Sequence, residues 1–122
     1  MSNADQLMMQ FEKCKFENAV VESVSISIVD SGFLTAFLHL KFPSGGFCGF
    51  GGFALGKVDD PGKVKPRDYC SEFLVRCMQI TGVEEWEKIR GKPIRCIHEG
   101  LGGSVLAIGH FLEDEWFCPT RS

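Results

Sequence analysis

The chain has 122 residues, enough for one domain with its own core and too few for two. Its net charge of −3 excludes the broad basic surface that binding to duplex nucleic acid normally demands. An apolar fraction of 44% is that of an ordinary globular protein, but eleven Phe point to a large aromatic core or an aromatic binding or subunit surface.

Residues 1–9 are polar and include Asp5, so they lack the apolar stretch of a secretory signal, and the apolar runs are too short to cross a membrane. The six Cys therefore read as reduced thiols in a cytosol, mostly small core residues. Ser2-Asn3-Ala4 matches a common cloning remnant and is set aside. Residues 1–17 are expected to form an N-terminal arm or short helix, and residues 18–122 a single α+β domain.

From Val20 the pattern changes to period two. Val24, Ile26 and Ile28 alternate with Ser23, Ser25 and Ser27. Beyond Asp30-Ser31-Gly32, the residues Leu34, Ala36, Leu38 and Leu40 again take alternate positions. A turn centred on Ser31 sets Ile28 opposite Leu34, Ile26 opposite Ala36 and Val24 opposite Leu38, which collects the apolar residues on one face. A slip by one residue would destroy that agreement.

Pro43-Ser44-Gly45-Gly46 is a turn. Phe47-Cys48-Gly49-Phe50-Gly51-Gly52-Phe53-Ala54-Leu55 reads as a third strand whose three glycines demand a bulge, a close crossing or a ligand on bare backbone. Residues 57–66 read as a charged loop with two prolines. A helix is expected over residues 68–81, with Asp68 as N-cap and an apolar stripe of Cys70, Phe73, Leu74, Cys77 and Met78. Glu72 and Arg76 stand four apart on its wet side, and Gly82 ends it. Residues 83–89 suggest one further turn with Trp86 and Ile89 inward. A second hairpin follows, joining residues 93–98 to 104–112 around Gly100-Leu101-Gly102-Gly103. The expected fold is thus α+β: an antiparallel sheet of two hairpins plus the Gly-rich strand, packed against one main helix.

Catalytic patterns are sparse. No Gly-Lys-Ser follows the glycines and they do not open a helix, so they are not a phosphate loop. A turn near residue 101 sets Cys96 near Leu106, His98 near Ser104 and His110 near Lys92. The metal-ligating types then fail to converge, and no metal or cofactor is expected. Cys48 with His39 is the nearest thing to a nucleophile and base. Glu84-Glu85-Glu87 and Glu113-Asp114-Glu115 read as solvated acidic faces. Two basic groups, Lys57, Lys63, Lys65 and Arg67 before the helix and Arg90, Lys92 and Arg95 by the second hairpin, would form an anion pocket if either met the Gly-rich strand.

The order of these motifs resembles a phage family, the Thoeris anti-defence proteins of the first type. The hairpin with Asp30-Ser31-Gly32-Phe33-Leu34-Thr35 carries the likeness, with Gly49-Phe50-Gly51-Gly52-Phe53-Ala54-Leu55 and Glu72-Phe73-Leu74-Val75-Arg76. Gly82-Val83-Glu84-Glu85-Trp86-Glu87, Gly91-Lys92, Ile108-Gly109-His110 and Asp114-Glu115-Trp116-Phe117 continue it to about residue 119. The resemblance implies a homo-oligomeric sponge in the host cytosol, a dimer or dimer-based hexamer. Such a sponge sequesters glycocyclic ADP-ribose or a cyclic oligonucleotide without cleaving it, in sites formed between subunits. Cys48 and Glu115 depart from the family pattern, where a more polar and a basic residue are expected.

On that reading Phe50 and Phe53 offer ring surface, and Gly51 and Gly52 allow close backbone approach. Arg67 and Arg76 are the candidate phosphate ligands, and Trp116 and Phe117 close a shared pocket. No membrane contact is expected. Two other readings stand beside it: a hydrolase or lyase of the same nucleotide, and a phage structural or protein-interaction module without a nucleotide ligand.

Overall fold

Period-two alternation builds the centre of the sheet. In the computed structural model, which describes residues 3–29, 32–60, 63–66, 69–100 and 104–119, strand β1 spans Lys15–Ile28 and strand β2 spans Phe33–Lys41. They pair antiparallel with Ile28 opposite Leu34, Ile26 opposite Ala36 and Val24 opposite Leu38, as the alternation requires. The register shifts between Val21 and Ser23, so Glu22 is an extra residue that keeps both Val21 and Val24 on the core side.

The remaining elements are helix α1 (Asn3–Gln10), β3 (Phe47–Gly51), β4 (Gly56–Asp60), β5 (Lys63–Pro66), helix α2 (Tyr69–Thr81), a 3-10 turn at Trp86–Ile89, β6 (Pro93–His98), β7 (Val105–His110) and β8 (Trp116–Phe117). All the strand pairs are antiparallel, in the order β5-β4-β2-β1-β6-β7-β8, with β3 beside β2. The protein is therefore α+β, dominated by one antiparallel sheet.

Three details differ from the sequence reading. The stretch read as a charged loop, residues 57–66, is a hairpin of β4 and β5 in which Val58 pairs with Val64. The prolines concealed it, yet Pro66 is tolerated because it ends its strand. The Gly-rich strand stops at Gly51 rather than reaching Leu55, because Gly51 and Gly52 take φ of +116° and +79° and turn the chain away from β2. In the second hairpin Cys96 faces Ile108, His98 faces Val105 and His110 faces Ile94. A bulge between Ile97 and His98 absorbs one residue that a regular ladder would have paired.

Helix α2 buries Phe73, Cys77, Ile80 and Thr81, with Cys70, Leu74 and Met78 packed against the core beside them. Its expected N-cap, Asp68, lies outside the described residues. At its end the Gly82 N–H bonds to the Gln79 carbonyl at 3.2 Å and the Val83 N–H to the Met78 carbonyl at 3.0 Å, with Gly82 at φ +74°. This is the left-handed termination that glycine permits. Under the helix, Phe50 stacks on Phe73 at 5.7 Å between centroids, and Phe117 meets both rings edge-on. Among the described residues no helix is long and apolar enough to cross a membrane.

A Cβ on Gly51 would strike the Ala36 carbonyl oxygen, and its φ is one that L side chains rarely adopt. Gly51→Ala is expected to lower unfolding stability by about 1–3 kcal/mol, read as an earlier midpoint in chemical denaturation at unchanged slope.

Candidate functional site

Strand β2 divides one edge between two partners. Residues 37–41 pair with β3 and residues 33–34 with β4, while residues 52–55, which join β3 to β4, leave the ladder. The curved sheet brings β3 within packing distance of β7 without a ladder between them. This seam holds a cavity of about 830 Å³. Phe37, Gly49, Gly51 and Phe53 form one wall, and Ser104, Leu106 and Cys118 lie opposite. Gln10 and Phe11 also line it.

Phe37 lines this cavity, and the sequence reading missed it. A Cβ on Gly49 would fall within the Phe37 ring, and a Cβ on Gly52 would come within 3.6 Å of the same ring's atoms. The bare glycines are thus occupied by an aromatic side chain of this chain, whose half-exposed ring lines the cavity. His39 meets it edge-on at 4.7 Å. The signal was present: Phe37 stands on the face opposite Ala36 and Leu38, where the alternation calls for a polar residue. The same device recurs where Trp116 lies over Gly109, its partner across the β7–β8 pair.

The eight residues expected to bind ligand divide by location. Gly51 and Phe53 line the seam cavity, and exposed Gly52 borders it through Phe37. Phe50 is 0% exposed and Phe117 6%, so their rings face other protein rings beneath the cavity floor. Arg76 donates to the Trp116 carbonyl at 2.9 Å and to Gln79 Oε1 at 2.8 Å, and its guanidinium lies 5.8 Å over Phe117. It is held by these partners rather than by Glu72. Arg67 lies outside the described residues.

Trp116 lines a second, smaller cavity of about 460 Å³ with Phe16, Glu17, Asn18 and Arg95. The Arg95 guanidinium sits 4.8 Å over the Trp116 ring while donating to the carbonyls of His110 at 2.8 Å and Glu113 at 2.6 Å. So the basic group by the second hairpin meets an aromatic residue there, away from the Gly-rich strand. Lys57 of the other basic group lies over the Phe33 ring at 5.5 Å.

Buried chemistry has structural partners. His98 is 2% exposed, stacks on Phe42, accepts from the Gly100 N–H at Nδ1 and donates from Nε2 to Glu17 at 2.9 Å. His110 Nδ1 accepts from the N–H groups of Leu112 and Glu113, closing the turn before β8. Cys48 pairs with Leu40 and faces the core, whereas His39 pairs with Gly49 and faces outward. The two cannot act as nucleophile and base. All six cysteines are free thiols, and burial pushes Cys77 and Cys96 up to about 12. Among the described residues no cluster of metal-ligating side chains occurs. No protein-family model matches the chain, and no curated protein matches it.

Helix α1 reaches this region through Asp114. The carboxylate accepts from the Asn3 N–H at 2.7 Å and the Ala4 N–H at 2.9 Å, and these bonds hold it below its usual range. A depressed carboxylate stabilises above its unfolded pKa, and that contribution is lost as pH falls through the lower folded value. The Ala4 amide proton resonance is therefore expected to stay constant from neutral pH until the Asp114 carboxyl begins to take up its proton. It should titrate with a midpoint below 3.8, the ordinary value for this carboxyl.

Proposed function

We propose that the protein binds and sequesters a cyclic nucleotide signal without cleaving it, acting in the cytosol as a homo-oligomer. The observation that carries this reading is the seam cavity, large enough for a dinucleotide-sized ligand and walled by Phe11, Phe37 and Phe53. A nucleobase stacks on aromatic faces, and unpaired strand edges supply main-chain donors and acceptors for its rim. Among the described residues no charged side chain lines the cavity. The ligand's phosphates would therefore face the mouth, where solvent or basic groups of a second copy meet them.

A second copy has a place to dock. Among the described residues no strand pairs with the outer edge of β1 beyond Val20, and Ile26, Ile28 and Val29 are 46%, 59% and 43% exposed. Two such edges can pair about a two-fold axis, each covering the other's apolar hairpin tip. The same surface favours the protein-interaction reading if no nucleotide binds. The motif order shared with the phage sponges supports the nucleotide over that alternative, and glycocyclic ADP-ribose and a cyclic trinucleotide are the ligands to try.

The test mixes the protein with each compound, removes free ligand by filtration, heats the protein and analyses what it releases by mass spectrometry. Intact ligand depleted from the filtrate and recovered on heating is expected. Altered ligand would identify a hydrolase, and ligand left wholly in the filtrate would overturn the nucleotide reading. Phe37→Ala should weaken binding by about 1–3 kcal/mol, the worth of one base stacked on an aromatic ring. Ile26→Lys should shift the light-scattering mass to that of a single chain while leaving the far-UV spectrum unchanged.

A further inference from the structure

Helix α1 is an unusual element of this fold. None of its eight residues is buried, and Met8 and Met9 are 51% and 67% exposed. Helix stability in proteins comes mostly from packing of an apolar face, and α1 offers only half-buried Ala4 and Leu7 to it; eight residues are too few for a helix to persist alone in water. What holds its start is a clamp from the far end of the chain. Asp114 accepts from the main-chain N–H groups of Asn3 and Ala4, and the Asn3 side-chain amide returns a bond to the Asp114 carbonyl at 3.1 Å. Two of these bonds come from backbone N–H groups, so they do not depend on which side chains stand there; residues 3 and 4, set aside above for their likeness to a cloning remnant, are tied into the fold by them.

The other end of α1 runs into the cavity wall. The Phe11 N–H continues the helix by bonding to the Leu7 carbonyl at 2.8 Å, and Gln10 and Phe11 line the seam. The chain then turns, with the Cys14 N–H bonded to the Phe11 carbonyl at 2.9 Å, and enters β1 at Lys15. One exposed helix thus joins a polar latch at its first residues to a wall of the cavity at its last. A short turn before a firmly paired strand follows it and can act as a hinge.

We infer that α1 is a lid over the seam cavity, latched by Asp114 and hinged at residues 11–14. Release of the latch opens the cavity where Gln10 and Phe11 line it, and a bound ligand would be enclosed when the latch re-forms. Asp114 is a positioning residue here: it holds the lid and touches no ligand. The inference rests on the seam being the binding site only for its purpose, because the motion itself is measurable without a ligand.

Cys118 lines the cavity, and burial raises its thiol above its ordinary value, so opening the lid both exposes it and makes it more reactive. The experiment is peptide-resolved labelling of the ligand-free full chain with a maleimide, followed by mass spectrometry. It compares wild type with Asp114→Ala and with Ala4→Pro. Proline is tolerated in a first helical turn, so Ala4→Pro removes one latch donor while leaving β8 intact. Buried Cys77 reports global unfolding in the same sample.

Both variants are expected to label Cys118 at least about threefold faster, the scale on which losing a helix cap shifts a local equilibrium, with the Cys77 rate unchanged. Deleting residues 1–10 should give the largest rise. Cys118 labelling at the wild-type rate in Ala4→Pro and in the deletion would overturn the lid. So would a rise at Cys118 matched by an equal rise at Cys77 in both. If the lid holds and no nucleotide binds, the functional reading fails alone; if nucleotide binds and labelling is unchanged, the lid fails alone.

Discussion

The left-handed turn at Gly51 and Gly52 is the constraint from which the rest of the site follows. It takes the chain off the edge of β2 after five paired residues, carries Phe53 out of the sheet and returns at Gly56 to pair with the start of β2. The Gly52 N–H bonds to the Ala36 carbonyl at 2.8 Å, and the Leu55 N–H to the Leu34 carbonyl at 2.8 Å, so the detour is pinned at both ends. Because β3 ends there, the curved sheet approaches β7 without completing a ladder, and the seam stays open. Only a residue without a Cβ fits at Gly51, where the Ala36 carbonyl occupies the space a side chain would need.

Aromatic rings then do two different things at this turn. Phe50, Phe73 and Phe117 fill the space between the sheet and α2, and their faces are spent on one another. Phe53 joins the edge of that cluster, meeting Phe50 at 6.4 Å and Phe73 at 5.6 Å edge-on, and also lines the seam. Phe37 lines the seam from the other face of the sheet. The Phe-rich composition therefore serves both the core and the candidate site, with Phe53 shared between them.

Much of the scaffold was legible in the residues. The register of the first hairpin followed from Val24, Ile26 and Ile28 facing Leu38, Ala36 and Leu34, since a one-residue slip would have turned every one outward. The end of α2 followed from Gly82. Bulges were not legible: the one between Ile97 and His98 shifts the pairing of Cys96 by one residue, and a turn that pairs His98 with Val105 rather than Ser104 shifts it by another, so Cys96 faces Ile108 and not Leu106. Nor was the β4–β5 hairpin, where Val58 and Val64 alternate with charged neighbours and Pro61 stands between them in sequence. At the site, Gly51 and Phe53 were visible as unusual residues, but Phe37 acquires meaning only once Gly49 is placed across from His39, one position diagonal to it. Arg76 looked free beside Glu72 because its partner, the Trp116 carbonyl, is forty residues away.

Among the described residues no charged side chain lines the seam, and the cations Arg76 and Arg95 are committed to carbonyls and rings elsewhere. Such a space suits a base and ribose better than a phosphate, which is why the account places the phosphates at the mouth and involves a second copy. A crystal structure of the protein grown with glycocyclic ADP-ribose tests this most directly. The account predicts the intact ligand in the seam, its base against the Phe37 ring and its phosphates pointing outward from the cavity. A ligand seated elsewhere with the seam empty, or its phosphates buried against Phe53, would contradict it.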